Sequence, residues 1–152
     1  MALTVRDLMK LQCFNYLELI AGQKGLERKV SGMGIVDYEL MPEFVEEYLQ
    51  TFSSGDFVLC SFLYQYCREK PEEILPMVKI LYHHGIAGIG YKTVLYPELP
   101  QEVLDFADQN NFPIFRFGRE IYYENLVYEI SYALRTDDRN LLTAENISQM
   151  IA

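Results

Sequence analysis

Apolar positions recur along the chain with two different periods, and the alternation between them predicts the elements. Val5, Leu8 and Met9 follow Thr4, and Thr4-Val-Arg-Asp7 has the spacing of a reciprocal N-terminal cap, so a short helix is expected there. Residues 16–21 (YLELIA) read as a strand, Gly22 and Gly25 punctuate a turn, and residues 29–37 (KVSGMGIVD) read as a second strand. Gly32 and Gly34 lie two apart on one face of it, where a neighbour can approach closely. Pro42 opens a helical pattern, PEFVEEYLQ, with acids in its first turn.

After the turn SSGD, FVLCSF is a continuous apolar run, typical of a strand covered on both faces. Pro71-Glu-Glu starts a helix whose apolar stripe is Ile74, Leu75, Val78, Leu81 and Tyr82. Pro76 fits it only if the helix starts near residue 73 or is kinked. Gly85 stands where a left-handed residue would end the helix, and IAGIGYK then reads as a buried strand. Pro100 opens a helix running to Asn110-Asn111, PIFRF is a short strand, and residues 121–134 form an amphipathic helix. RTDDRN is a polar break, and LLTAENISQMIA reads as a last helix.

Strands alternating with helices imply an α/β domain with a mainly parallel central sheet, crossover helices on both faces and helices at the C-terminal end. The expected organisation is one domain over residues 1–135 and a helical linker or tail over 136–152. In such a sheet ligands gather at the carboxyl ends of the strands.

Composition narrows the function classes. The chain has 152 residues and a net charge of −9, which repels nucleic-acid phosphates and anionic membranes alike. Three cysteines, Cys13, Cys60 and Cys67, without a CxxC spacing argue against a disulfide framework or a zinc ribbon, and for a reducing, cytoplasmic setting. No signal-peptide pattern and no spanning apolar run is present.

The glycines of HHGIAGIGYK are spaced G-x-x-G-x-G, follow a helix and enter a strand. A dinucleotide loop has the reverse order and direction, so a helix cap followed by a small-residue strand is the better reading. His83 and His84 are neighbours on a helix and diverge by roughly 100°, too far to chelate one ion together. No metal or cofactor is expected, and no catalytic residue: Ser61 lacks a nucleophile-elbow context.

At the carboxyl ends of the strands, Glu39, Ser61, Lys92 and Arg116 form the candidate ligand-binding set. Lys92 and Arg116 could hold an anion, and Glu39 could accept from a heterocycle N–H. The competing reading is solvated strand-end residues in local salt bridges. An enzyme with Glu39 as base beside Lys92 is a further rival that no spacing demands. Tyr122, Tyr128 and Tyr132 are candidate interface residues, with core packing as the alternative.

Several segments together resemble the N-terminal domain of purine catabolism regulator-like (PucR-type) bacterial transcription regulators. They are TVRDLM at 4–9, AGQKGLERKV at 21–30, the Glu39 and Pro42 step, GDFVLCS at 55–61, GIAGIGYK at 85–92 and LPQEVLDFADQNNFPIF at 99–115. The chain departs from the family pattern at Cys60-Ser61-Phe62, where the family has Thr-Thr and often Gly. The resemblance implies an effector-sensing regulatory domain linked to purine or nitrogen-compound catabolism. It also implies a DNA-binding helix-turn-helix in a C-terminal region that this chain does not hold. The partner it suggests is a purine-related small molecule; a homodimer is a separate expectation, favoured by the tyrosine-rich helix over 121–134. A protein-interaction or dimerisation module without a small ligand is the alternative.

Overall fold

The computed structural model describes residues 3–37, 46, 47, 50 and 53–136. Its first element is the short helix α1 (Val5–Leu8), closed by the reciprocal cap its spacing predicts. The Thr4 Oγ1 accepts from the Asp7 N–H at 3.2 Å, and the Asp7 carboxylate accepts from the Thr4 N–H at 2.9 Å. A 3-10 turn over Gln12–Tyr16 comes next.

Five strands make one sheet: β1 (Glu18–Ala21), β2 (Gly32–Ile35), β3 (Asp56–Cys60), β4 (Gly88–Lys92) and β5 (Ile114–Phe117). The strand order is β1-β5-β4-β3-β2. β2, β3, β4 and β5 are parallel neighbours, and β1 runs antiparallel along β5. The remaining helices are α2 (Leu63–Cys67), α3 (Ile74–His83), α4 (Gln101–Gln109) and α5 (Tyr123–Thr136). The fold is therefore α/β around a mainly parallel sheet. The helix expected from Pro42 and the one expected over 141–152 lie outside the described residues, although Glu46, Glu47 and Gln50 are helical.

The two sheet faces carry separate cores because successive strand residues point to opposite sides. Val58, Cys60, Ile89, Tyr91 and Ile114 face Ile74, Val78 and Leu81 of α3 and Val103 and Ala107 of α4. Phe57, Leu59, Phe115 and Phe117 face the other way, against Val5, Leu8, Phe14 and the α5 residues Leu126 and Ile130. Helices thus cover both faces, with the two crossover helices α3 and α4 sharing one of them. Burying each of these large side chains contributes about 1.5–3 kcal/mol.

Phe57 explains the glycines of β4. Its ring lies so close that a Cβ on Gly88 would sit 3.3 Å from Cε2 and one on Gly90 3.4 Å from Cε1. The helix before β4 ends as its sequence predicts. Gly85 takes φ 90°, its N–H donates to Tyr82 O at 3.0 Å, and the Ile86 N–H donates to Leu81 O at 3.1 Å, which together satisfy two of the last carbonyls. Pro76 is accommodated because Pro71–Glu73 forms a separate 3-10 turn and α3 starts at Ile74.

The sequence pattern does not predict helix α2. FVLCSF stops being strand at Cys60, and Phe62 turns the chain with φ 58°, a left-handed conformation, directly into α2. Five residues are too few to display a helical period. Among the described residues no helix is long and apolar enough to cross a membrane.

Candidate functional site

The parallel strands β2 to β5 lie side by side in chain order, so no reversal opens a crevice between diverging loops at their carboxyl ends. A site there has to be built from the residues just past each strand and from the helix that packs across them. After β2 comes Asp37, after β3 comes Ser61, and β4 ends on Lys92. Helix α5 brings Tyr123 to all three.

Asp37 and Ser61 are locked together. One carboxylate oxygen, Oδ1, accepts from the Ser61 N–H at 2.7 Å and from the Ser61 Oγ–H at 2.9 Å. Both bonds go to one carboxylate oxygen and tie the exit of β2 to the exit of β3. The Tyr123 hydroxyl is buried beside this pair, yet makes no hydrogen bond of good geometry. Burial first, and the facing Asp37 carboxylate second, push the Tyr123 phenol well above its ordinary value, so it stays protonated and can donate.

The Tyr123 ring packs against Phe117 with centroids 5.9 Å apart, and the Lys92 ammonium stands 5.5 Å from its centroid. The same ammonium is 5.5 Å from the Tyr122 ring. Lys92 is half-buried and has no ion-pair partner among the described residues. The cluster therefore offers a carboxylate, a hydroxyl pair and a cation held over aromatic faces, an arrangement that suits a small polar molecule with an anionic or carbonyl edge.

Of the four residues expected at the site, the structure joins Ser61 and Lys92 through Tyr123. Arg116 does not join them. Tyr91 is in register with Arg116, and Lys92 with Phe117, so Lys92 and Arg116 point to opposite faces of the sheet. Arg116 instead pairs with Glu18 of β1 through both Nε and Nη2, each 2.6 Å from Oε1. It also faces the Tyr91 hydroxyl, whose burial raises it to about 12. Glu39 lies outside the described residues.

Sequence reasoning places Asp37 at a strand end but misses its role, and it assigns no contact to Tyr123. An acid two residues after a strand, facing a serine one residue after the next strand, is the signal the sequence offers. The histidines close α3, His83 as its last residue and His84 as its cap, and among the described residues no cluster could hold a metal. Burial raises the Cys13 thiol to about 12 and the Cys60 thiol well above its usual value, so neither is poised as a nucleophile. Tyr122, Tyr128 and Tyr132 are exposed, which removes core packing as their role.

Comparison with known proteins agrees with the segments that carry the resemblance. The model of the purine catabolism regulatory protein-like family matches residues 7–134. The purine catabolism regulatory protein of Bacillus subtilis (strain 168) is 29% identical over 126 residues, 82% of this chain and 22% of that protein. The chain thus spans about a fifth of the length of this relative. Among solved structures, the CBS and DRTGG domains of the regulatory region of Clostridium perfringens pyrophosphatase, complexed with diadenosine tetraphosphate, match 89% of this chain and 54% of that one. The TM-score is 0.48 and the identity 11%, a likeness too loose to argue from.

Proposed function

The chain belongs to the purine catabolism regulatory protein-like family, and from that premise we propose that it is the effector-sensing domain of a longer cytoplasmic transcription regulator. The effector binds at the Asp37–Ser61–Lys92–Tyr123 cluster. The observation that carries this reading is the Tyr123 hydroxyl, buried at the start of α5 beside a carboxylate and a serine without a hydrogen bond of good geometry to either. Leaving a buried hydroxyl unpaired costs about 1–3 kcal/mol, a cost that a bound acceptor removes. Filling the site would then favour one placement of α5 over another, and α5 would pass the change to the rest of the regulator.

The Bacillus subtilis relative is named for purine catabolism, so purines and their breakdown products are the compounds to try first. Thermal unfolding in their presence tests the proposal. A true effector at a hundredfold its Kd adds about 2.7 kcal/mol, and Tyr123→Phe should remove most of that gain while leaving the fold intact. If no compound of this class shifts the transition, or if Tyr123→Phe and Lys92→Ala respond like the parent, the site assignment fails. A second reading, an interaction module without a small ligand, draws on the exposed tyrosines of α5.

A further inference from the structure

Helix α5 presents a solvent-facing line with a symmetry of its own. Glu124, Tyr128, Ser131, Tyr132 and Arg135 recur at helical spacing along one face. Tyr128 and Tyr132 are 68% and 53% exposed, and their rings stack on each other at 6.3 Å with 15° between planes. Beside them runs a groove of about 610 Å³, bounded by Ile35 of the edge strand β2 and by Tyr123, Val127 and Tyr128 of α5. Ile35 is itself 41% exposed, and among the described residues β2 pairs only with β3. Two large stacked aromatics left in water beside an open edge are an unusual outlay of apolar surface.

The charges at the ends of this line are opposite. Glu124 and Arg135 make no ion pair among the described residues. They lie eleven positions apart on α5, roughly 16 Å along the axis, too far to meet each other on one helix. They do meet across a twofold axis. If two copies of α5 lie antiparallel with the axis between positions 129 and 130, Glu124 of each copy faces Arg135 of the other. Tyr128 then lies next to the axis, beside Tyr128 and Ser131 of the other copy. The surface is complementary to its own copy, as an isologous interface requires.

We propose that this face of α5 is a homodimer interface, with a second copy of the chain seated antiparallel on the Tyr128–Tyr132 stack. Aromatic side chains bury about 150–250 Å² each when covered. Tyr128 and Tyr132 still expose 68% and 53% of their surface, so the two pairs supply roughly half of the ~1,000 Å² expected of a specific interface, with Val127, Ile35 and the flanking polar residues adding to it. This proposal does not rest on the effector reading: its contacts use neither Asp37 nor Ser61 nor Lys92, and Tyr123 enters only as a border of the groove.

Sedimentation equilibrium of the 152-residue chain tests it by charge exchange. The parent should dimerise with concentration. Glu124→Arg and Arg135→Glu should each weaken the dimer by about tenfold or more, because each creates two like-charge contacts across the axis. The combined variant should recover most of the parental affinity, and Tyr128→Ser should weaken it independently of charge. Glu124, Tyr128 and Arg135 are all exposed, so melting curves should stay close to the parent and separate lost association from lost folding. A monomer at every concentration overturns the proposal. So does a dimer indifferent to the single reversals, or one weakened by them and not restored by the combined exchange.

Discussion

Phe62 sits at a conflict that mutation can divide into its parts. Its backbone is left-handed, φ 58°, and its side chain is fully buried against Tyr91 at 6.1 Å between ring centroids. The conformation costs a residue with a Cβ roughly 1–2 kcal/mol. Truncating a buried phenylalanine costs about 3–5 kcal/mol. Phe62→Ala loses the ring and keeps the backbone cost, so it should lose the full ~3–5 kcal/mol. Phe62→Gly loses the ring but releases the backbone, which leaves a net loss of about 2–3 kcal/mol, slightly more after the unfolded-state entropy of glycine. The glycine variant should therefore be the more stable of the two by about 1 kcal/mol, the reverse of the order at an ordinary position. The chain has no tryptophan, so thermal unfolding is best followed by far-UV circular dichroism. A domain of this size shifts its Tm by about 2–4 °C per kcal/mol, which puts both variants well outside error. If Phe62→Ala matches or exceeds Phe62→Gly, the left-handed backbone is not what shapes this turn. If Phe62→Gly equals the parent, the ring contributes no more than the ~1–2 kcal/mol that the released backbone returns, and the packing argument fails.

Gly25 has no positive φ, but a Cβ there would collide with the Asn111 carbonyl; Gly25→Ala should lose more than about 3 kcal/mol in the same assay. Tyr123→Phe removes a hydroxyl that is buried without a hydrogen bond and should be neutral or stabilising by up to about 1 kcal/mol in the absence of effector. Asp56 is buried, and desolvation raises its pKa above the ordinary 3.8. Its charged form is therefore penalised in the folded state, and stability is gained as pH falls through the raised value. Asp56→Asn should accordingly be more stable than the parent at neutral pH, with the advantage shrinking on acidification; a difference that does not change with pH would contradict the burial. Cys13 and Cys60 are buried and Cys67 is exposed, so a thiol reagent should titrate one group in the native chain and three after unfolding.

The parts of the fold that can be read from sequence are those whose signals are local. The Thr4–Asp7 cap and the Gly85 terminus depend on a few neighbouring residues, and they are where the pattern puts them; the helix expected from Pro71 starts at Ile74, after a 3-10 turn that keeps Pro76 in its first turn. β3 and β4 are buried on both faces, so an unbroken apolar run is enough to find them. The same double burial hides the site. With no polar alternation in GIGYK, nothing local says which way Lys92 points, and only pairing Lys92 with Phe117 separates it from Arg116. The antiparallel placement of β1 beside β5 depends on partners nearly a hundred residues apart, Glu18 and Arg116. Tyr123 looks like any other member of a tyrosine-rich helix, because its distinction is the Asp37–Ser61 pair it covers.

Helix α5 begins at the residue that roofs the polar cluster and carries the stacked tyrosines one turn further on. A helix of this length tilts or rotates as a unit, so its first turn cannot be repositioned while its middle stays put. If both proposals hold, effector occupancy and self-association share one free energy of coupling, and thermodynamics makes the exchange symmetric. Whatever factor the small molecule adds to pairing, pairing must add to the grip on the small molecule, and the concentration of the regulator itself would set the dose at which it responds.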